Sequence, residues 1–255
     1  VRPPRSRPGT RLLAAALAGA AGFAALAVLV AAGALTTPDR YAVHHLMPWW
    51  RRSHAVPLVD VRAVFVPDTR GSVAATAAGL WTYPASPFVS ALVVAACGYL
   101  LLRRRRPRAA LGLGLLWVTA NLLELLVKVA VTRPSLGVAT FDHSYPSGHM
   151  LRACVDVAAV ASAWPRARFV AAGWLLPVPF ALVALGYHTP SDVVGALFLA
   201  VSLLAVWARG EAVERRGARV ASGALEPRSG GELLEPRARS VRAPAAGAPS
   251  GRRPR

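Results

Sequence analysis

Three short stretches decide how this chain reads: Lys128-Val-Ala-Val-Thr-Arg133-Pro134, then Pro146-Ser147-Gly148-His149, then His188-Thr189-Pro190-Ser191-Asp192. Long apolar runs flank and separate them. Polar groups are expensive in hydrocarbon, so ionisable residues gathered at the ends of apolar spans are functional candidates. The arrangement predicts that the three clusters converge into one phosphate-handling site at one face of a membrane.

Composition supports that reading. The chain has 255 residues, 55% of them hydrophobic and only 16% charged, and its mean hydropathy is positive. Soluble domains carry about 25% charged residues, so the balance favours membrane. The net charge of +18 would suggest nucleic acid in a soluble protein. Here the arginines sit in blocks beside apolar runs, which points to membrane topology and no nucleic-acid partner. Cys97 and Cys154 both fall inside apolar spans, without metal-ligand spacing, and read as small core residues. Heavy Ala and Arg usage fits a bacterial, GC-rich source.

Taken in order, residues 1–36 comprise a basic segment with Arg2, Arg5, Arg7 and Arg11 and an apolar run from Leu12 to Leu35. That run can cross a hydrocarbon core of roughly 30 Å at about 1.5 Å per residue. A secretory signal has a shorter apolar core, of about 7–15 residues. The expectation is therefore an uncleaved first span with its basic end inside, with cleavage near Ala34 as the alternative. Residues 37–83 mix Trp49, Trp50, Trp81 and Tyr83 with prolines, a pattern of short helices in the outer interface. His44, His45 and His54 have no acid or cysteine at ligand spacing and read as loop residues.

Residues 84–208 form the core. Apolar runs extend over Pro84–Leu102, Ala109–Val131, Met150–Trp164, Phe169–Tyr187 and Val193–Trp207. Short basic loops, Arg103–Arg106 and Trp164–Arg168, join the first pair and the third and fourth runs. The fold class expected is all-α, a polytopic bundle of about six transmembrane helices with both termini inside. Residues 209–255 lose the apolar pattern and read as a disordered basic tail. Alternation then returns the outer end of the third span and the starts of the fourth and sixth to the same side.

Lys128 is the only lysine in the chain. It suits a position that wants a compact ammonium for phosphate, or it pairs with Glu124 one turn earlier. Pro146–His149 marks a helix start, where N–H groups and the helix dipole favour an anion. Gly148 allows close approach, Ser147 adds a hydroxyl or simply caps the helix, and His149 can donate a proton to a leaving oxygen. Asp192, four residues after His188, either orients its imidazole as nucleophile or base, or completes a capping box.

Together these motifs resemble the type 2 phosphatidic acid phosphatases, membrane lipid phosphate phosphatases related in fold to vanadium haloperoxidases. The family pattern is Lys-x6-Arg-Pro, Pro-Ser-Gly-His and Ser-Arg-x5-His-x3-Asp, and the resemblance covers roughly residues 84–207. It implies His188 as the nucleophile forming a phosphohistidine, Asp192 as its orienting partner and His149 as general acid. Lys128, Arg133, Ser147 and Gly148 would hold the phosphoryl oxygens, with no metal ion or cofactor. The implied substrate is a lipid phosphate: phosphatidic acid, a phosphatidylglycerol phosphate or a polyprenyl diphosphate, drawn from membrane lipids at a bacterial plasma membrane.

Two departures stand out. Arg133 follows Lys128 after four residues, and Ser135 holds the in-register position. Leu182 stands where the arginine before His188 belongs. Each lost oxyanion donor removes about 3–4 kcal/mol of transition-state stabilisation. Arg152, one turn beyond His149, is a candidate replacement, or else pairs with Asp156. The rival reading is a non-catalytic lipid-phosphate binder or scaffold, against which stand the intact His149, His188 and Asp192. A transporter would place its ionisable groups nearer the midplane.

Overall fold

The computed structural model describes residues 8–46, 73–134, 136 and 144–221, and among these every regular element is helical. The elements are α1 (Pro8–Ala31), α2 (Thr36–Leu46), α3 (Val73–Thr82), a 3-10 turn (Tyr83–Ala85), α4 (Pro87–Arg103) and α5 (Pro107–Ala130). After them come α6 (Gly148–Ala163), a second 3-10 turn (Pro165–Ala167), α7 (Arg168–Leu175), α8 (Val178–Ala184) and α9 (Pro190–Ala221). One compact unit spans Val1–Arg216; the second, Gly217–Arg255, enters the described residues only as the end of α9. Trp49, Trp50 and His54 lie outside the described residues, as does the tail beyond Ala221. The last helix runs past Arg209, where the apolar pattern fades, to Ala221.

Proline sets several helix starts. Pro87, Pro107 and Pro190 each open a helix at a position that needs no N–H and suits a fixed φ. At the other end of α4 the arginine block stops the helix. Arg105 takes a left-handed φ of 55°, and Arg106 N–H returns to the Leu101 carbonyl, so the chain turns at once into α5.

Helix α6 is the centre of the bundle. Leu151, Ala153, Val155, Ala159 and Ala163 are fully buried, packed with Leu101 and Leu113 from α4 and α5, Leu182 from α8 and Val193 from α9. Small side chains let neighbouring helices approach α6 closely. The outer helices show the opposite pattern. On α5, Leu111, Leu115, Leu122, Leu126 and Val129 are exposed while Leu113, Leu116 and Ala120 are buried. An apolar outer belt of this kind is covered by lipid, and the chain is an integral membrane protein.

Four helical segments are long and apolar enough to cross a bilayer: Gly9–Ala31, Pro107–Ala130, Pro165–Ala184 and Pro190–Val213. A fifth counts if Thr76–Ala85 and Pro87–Arg103, bent by 48°, form one broken span. The expected count of about six is not reached, because α6 has only 16 residues. At about 1.5 Å per residue it is roughly 24 Å long, and it carries Arg152 and Asp156 on buried faces. The expected fifth span is broken at Leu176-Pro177 into α7 and α8, since proline removes a helical hydrogen bond.

The two ends of the bundle differ in chemistry. At one end Arg104 donates to the Ala163 carbonyl, and Arg106 pairs with Glu211 at 2.8 Å. At the other end meet the starts of α4, α6 and α9 and the finish of α5. Helix α1 is seated on α9 through glycine: a Cβ on Gly19 would lie 2.7 Å from the Phe198 carbonyl oxygen and 2.8 Å from Ser202 N. Gly19→Val should therefore force α1 off α9 and destabilise the protein by about 1–3 kcal/mol. Thermal unfolding in detergent reads this directly; an unchanged midpoint would refute the α1–α9 packing.

Candidate active site

Helix α9 begins with a reciprocal cap. Asp192 N–H donates to Thr189 Oγ1 at 3.3 Å, and Thr189 N–H donates to Asp192 Oδ2 at 3.0 Å. The same Oδ2 lies 3.6 Å from His188 Nδ1, a nitrogen that is buried without a hydrogen-bond partner. That separation exceeds a hydrogen bond, though such contacts commonly tighten only with substrate bound. Capping and facing the histidine are thus both done by one carboxylate.

Behind Asp192 lies a buried ionic group. Arg133 donates from Nη1 to Asp192 Oδ1 at 2.9 Å and to Thr189 Oγ1 at 2.8 Å, and from Nη2 to Asp39 Oδ2 at 2.7 Å. Asp39, from α2, also accepts from Ser191 N–H at 3.1 Å and from the Ser191 hydroxyl. Arg133 and Asp39 are 6% and 3% exposed, so neither faces water. The family resemblance implied Arg133 as a phosphate ligand; its guanidinium is held on Asp39, Thr189 and Asp192.

A second ionic group centres on Glu124 of α5. Its Oε1 accepts from Lys128 Nζ at 2.6 Å and its Oε2 from Arg152 Nη1 at 2.6 Å. Arg152 also donates to Asn121 Oδ1 at 3.0 Å and to the Ala85 carbonyl at 2.9 Å. Its carboxylate partner is therefore Glu124; Asp156 takes the Ser90 hydroxyl at 2.7 Å. The Glu124 carboxylate rests directly against Gly148, where a Cβ would overlap it.

The start of α6 joins the two groups. Ser147 caps the helix by accepting from Met150 N–H at 3.3 Å, and its own N–H donates to the Asp192 carbonyl at 3.0 Å. The N–H groups of Gly148 and His149, at the first positions of α6, have no acceptor within the helix. The His149 and His188 rings are 6.3 Å apart between centroids. Tyr145, just ahead of the motif, stacks on Phe23 at 5.6 Å and donates to the Phe23 carbonyl at 3.1 Å. Burial, then the nearby Asp192 charge, raises its hydroxyl above the ordinary tyrosine value, so it remains a donor. Gly195 makes room for its ring. All eight residues singled out from sequence, Lys128, Arg133, Ser147, Gly148, His149, Arg152, His188 and Asp192, thus belong to one connected region.

No protein-family model matches the chain, and no curated protein sequence does. Among solved structures it is similar to the first transmembrane PAP2 type phosphatidylglycerolphosphate phosphatase from Bacillus subtilis. The TM-score is 0.51 at 20% identity, over 74% of this chain and 93% of that one. The chain has the PAP2 fold. Leu182 is fully buried in the apolar core, where no guanidinium would be accommodated, and Ser135 lies outside the described residues.

Asp39 was not legible as a site residue. It comes from a segment read as interfacial, and its partners stand 94 and 152 positions away, beyond any local pattern. Glu124 was legible only as a neighbour of Lys128, and Asn121 not at all. The buried Asp39–Arg133–Asp192 arrangement makes a testable claim. Asp39→Ala and Arg133→Ala should each destabilise by about 3–5 kcal/mol, because each strands a buried charge. The double variant should cost clearly less than the sum. Additive losses in detergent unfolding would show that the two residues do not act as a pair.

Proposed function

We propose that this protein is a metal-independent lipid phosphate phosphatase that works through a phosphohistidine. The observation that carries the reading is the meeting of His149, His188 and Asp192 with Lys128 and Arg152 at one end of the bundle. A pure binding site has no need of a nucleophile, its orienting carboxylate and an acid together.

In this reading Asp192, fixed by Arg133 and Thr189, faces Nδ1 of His188 and leaves Nε2 to attack phosphorus. The P–N bond forms as the P–O bond to the leaving group breaks, an ester bond in a phosphomonoester and an anhydride bond in a diphosphate, and His149 gives its proton to the departing oxygen. Water then attacks the phosphohistidine with His149 as base, releasing inorganic phosphate and restoring both histidines. Lys128, Arg152 and the N–H groups of Gly148 and His149 carry the charge on the transferring group, with Ser147 fixing the turn. Arg152 stands in for the arginine replaced by Leu182. Arg133 serves at one remove, by holding Asp192.

The reading places six crossings in the membrane, with α6 as the fourth. Its short length is tolerated because other helices surround it. Both termini and the arginine loops lie inside, and the site opens at the extracytoplasmic face of a bacterial plasma membrane. Phosphatidic acid, a phosphatidylglycerol phosphate and a polyprenyl diphosphate are the candidate substrates. The rival, a lipid-phosphate binder without activity, draws on the buried Leu182 and the commitment of Arg133 to carboxylates.

Phosphate release from a panel of these lipids, by purified protein in detergent with EDTA present, separates the two. Release should persist in chelator and fall by roughly three orders of magnitude or more in His188→Ala. Binding of the lipids without release by the folded wild type would favour the rival.

A further inference from the structure

Resting on the phosphatase reading above, we infer that Glu124 is an internal anion that competes with phosphate for its own binding cradle. Three observations lead there. Both carboxylate oxygens are used, one on Lys128 Nζ and one on Arg152 Nη1, each at 2.6 Å. These are the two cations assigned to the phosphoryl group. The carboxylate also rests on Gly148, so closely that no side-chain carbon would fit between them. Gly148 opens α6, where N–H groups lacking helical acceptors and the helix dipole favour negative charge.

A carboxylate between two cations at a glycine-opened helix start occupies the kind of position a phosphoryl group would take. Glu124 is only 7% exposed, so it is not a surface acid meeting a passing lysine. Its role has a physical rationale. Without Glu124, the buried Arg152 and the half-buried Lys128 would repel each other, and the buried guanidinium would lack a counter-charge. Glu124 neutralises one of them while the site is empty. When a phosphate enters, the cations exchange one anion for another, and the carboxylate must swing off Gly148. On product release it returns, which favours departure of inorganic phosphate. The site therefore binds phosphate less tightly than its cations alone would allow.

The test compares wild type with Glu124→Gln, which keeps the shape and removes the charge. Binding of tungstate, a phosphate mimic, is measured by calorimetry and by the rise in unfolding temperature of the detergent-solubilised protein. Inhibition of lipid hydrolysis by inorganic phosphate is measured alongside. The inference predicts tungstate affinity about tenfold or more higher in Glu124→Gln, a larger tungstate-dependent rise in unfolding temperature, and stronger product inhibition. Glu124→Asp, which retains the charge but is too short to span both cations over Gly148, should fall between the two and serves if the glutamine variant does not fold. Unchanged or weaker tungstate binding in the variants would overturn the inference and assign Glu124 to holding Lys128 and Arg152 in place. Wild-type hydrolysis with unchanged tungstate binding would sink this inference alone. Tighter tungstate binding without any hydrolysis by wild type would sustain the competition and remove the phosphatase reading.

Discussion

The arrangement of this site depends on one constraint: charges buried in a membrane protein must be paired. Arg133 meets it by bridging Asp39 and Asp192, and Glu124 meets it by bridging Lys128 and Arg152. Each bridge draws together segments remote in sequence. The first ties α2 and the chain after α5 to the start of α9; the second ties α5 to α6. Unpaired, each of the buried members, Arg133, Asp39, Asp192, Glu124 and Arg152, would cost several kcal/mol, so the helix ends are held in register by electrostatic need as well as by packing. His188 faces Asp192 of the first bridge, and the His149 ring centroid lies 6.3 Å from that of His188. The groups that would handle phosphate are thereby positioned before substrate arrives, which is how electrostatic stabilisation avoids reorganisation during reaction.

The apolar framework makes this affordable. Leu151, Val155, Leu182 and Val193 fill the centre, and exposed leucines and valines on α5 form the surface that lipid covers. One polar contact inside the framework joins three helices: the Ser90 hydroxyl donates to Asp156 Oδ1 and accepts from the Trp117 indole N–H. Arginine gathers at the end of the bundle away from the histidines. The two ends of the bundle thus differ in chemistry, with the basic loops at one and the two histidines at the other.

Much of the fold could be read from the sequence because apolar runs and proline starts are local signals. The helices begin and end near Pro87, Arg103, Pro107 and Pro190 for reasons visible in a few residues. The motifs at Pro146–His149 and His188–Asp192 were legible for the same reason, since a helix start is a local feature. The count of six is short at α6, whose 16 residues carry Arg152 and Asp156 on buried faces and so lack the hydropathy that marks a lipid-facing helix. The break at Pro177 was not anticipated, although Pro165–Ala184 still has the length and apolarity of one crossing. The roles of Arg133, Asp39 and Glu124 were not legible, because an ion pair between distant segments leaves no periodic trace. Arg133 could be matched to a motif, but its partners could not.

The central claim is that His188 carries the phosphoryl group in transit. The most direct measurement is to mix the purified protein with a lipid labelled in its terminal phosphate, quench under denaturing alkaline conditions, and map any label on the chain. The account predicts an acid-labile, alkali-stable label on the peptide containing His188, present during turnover, chased by unlabelled substrate and absent in His188→Ala. Turnover with no label under conditions that preserve phosphohistidine, or with label on another residue, would contradict it.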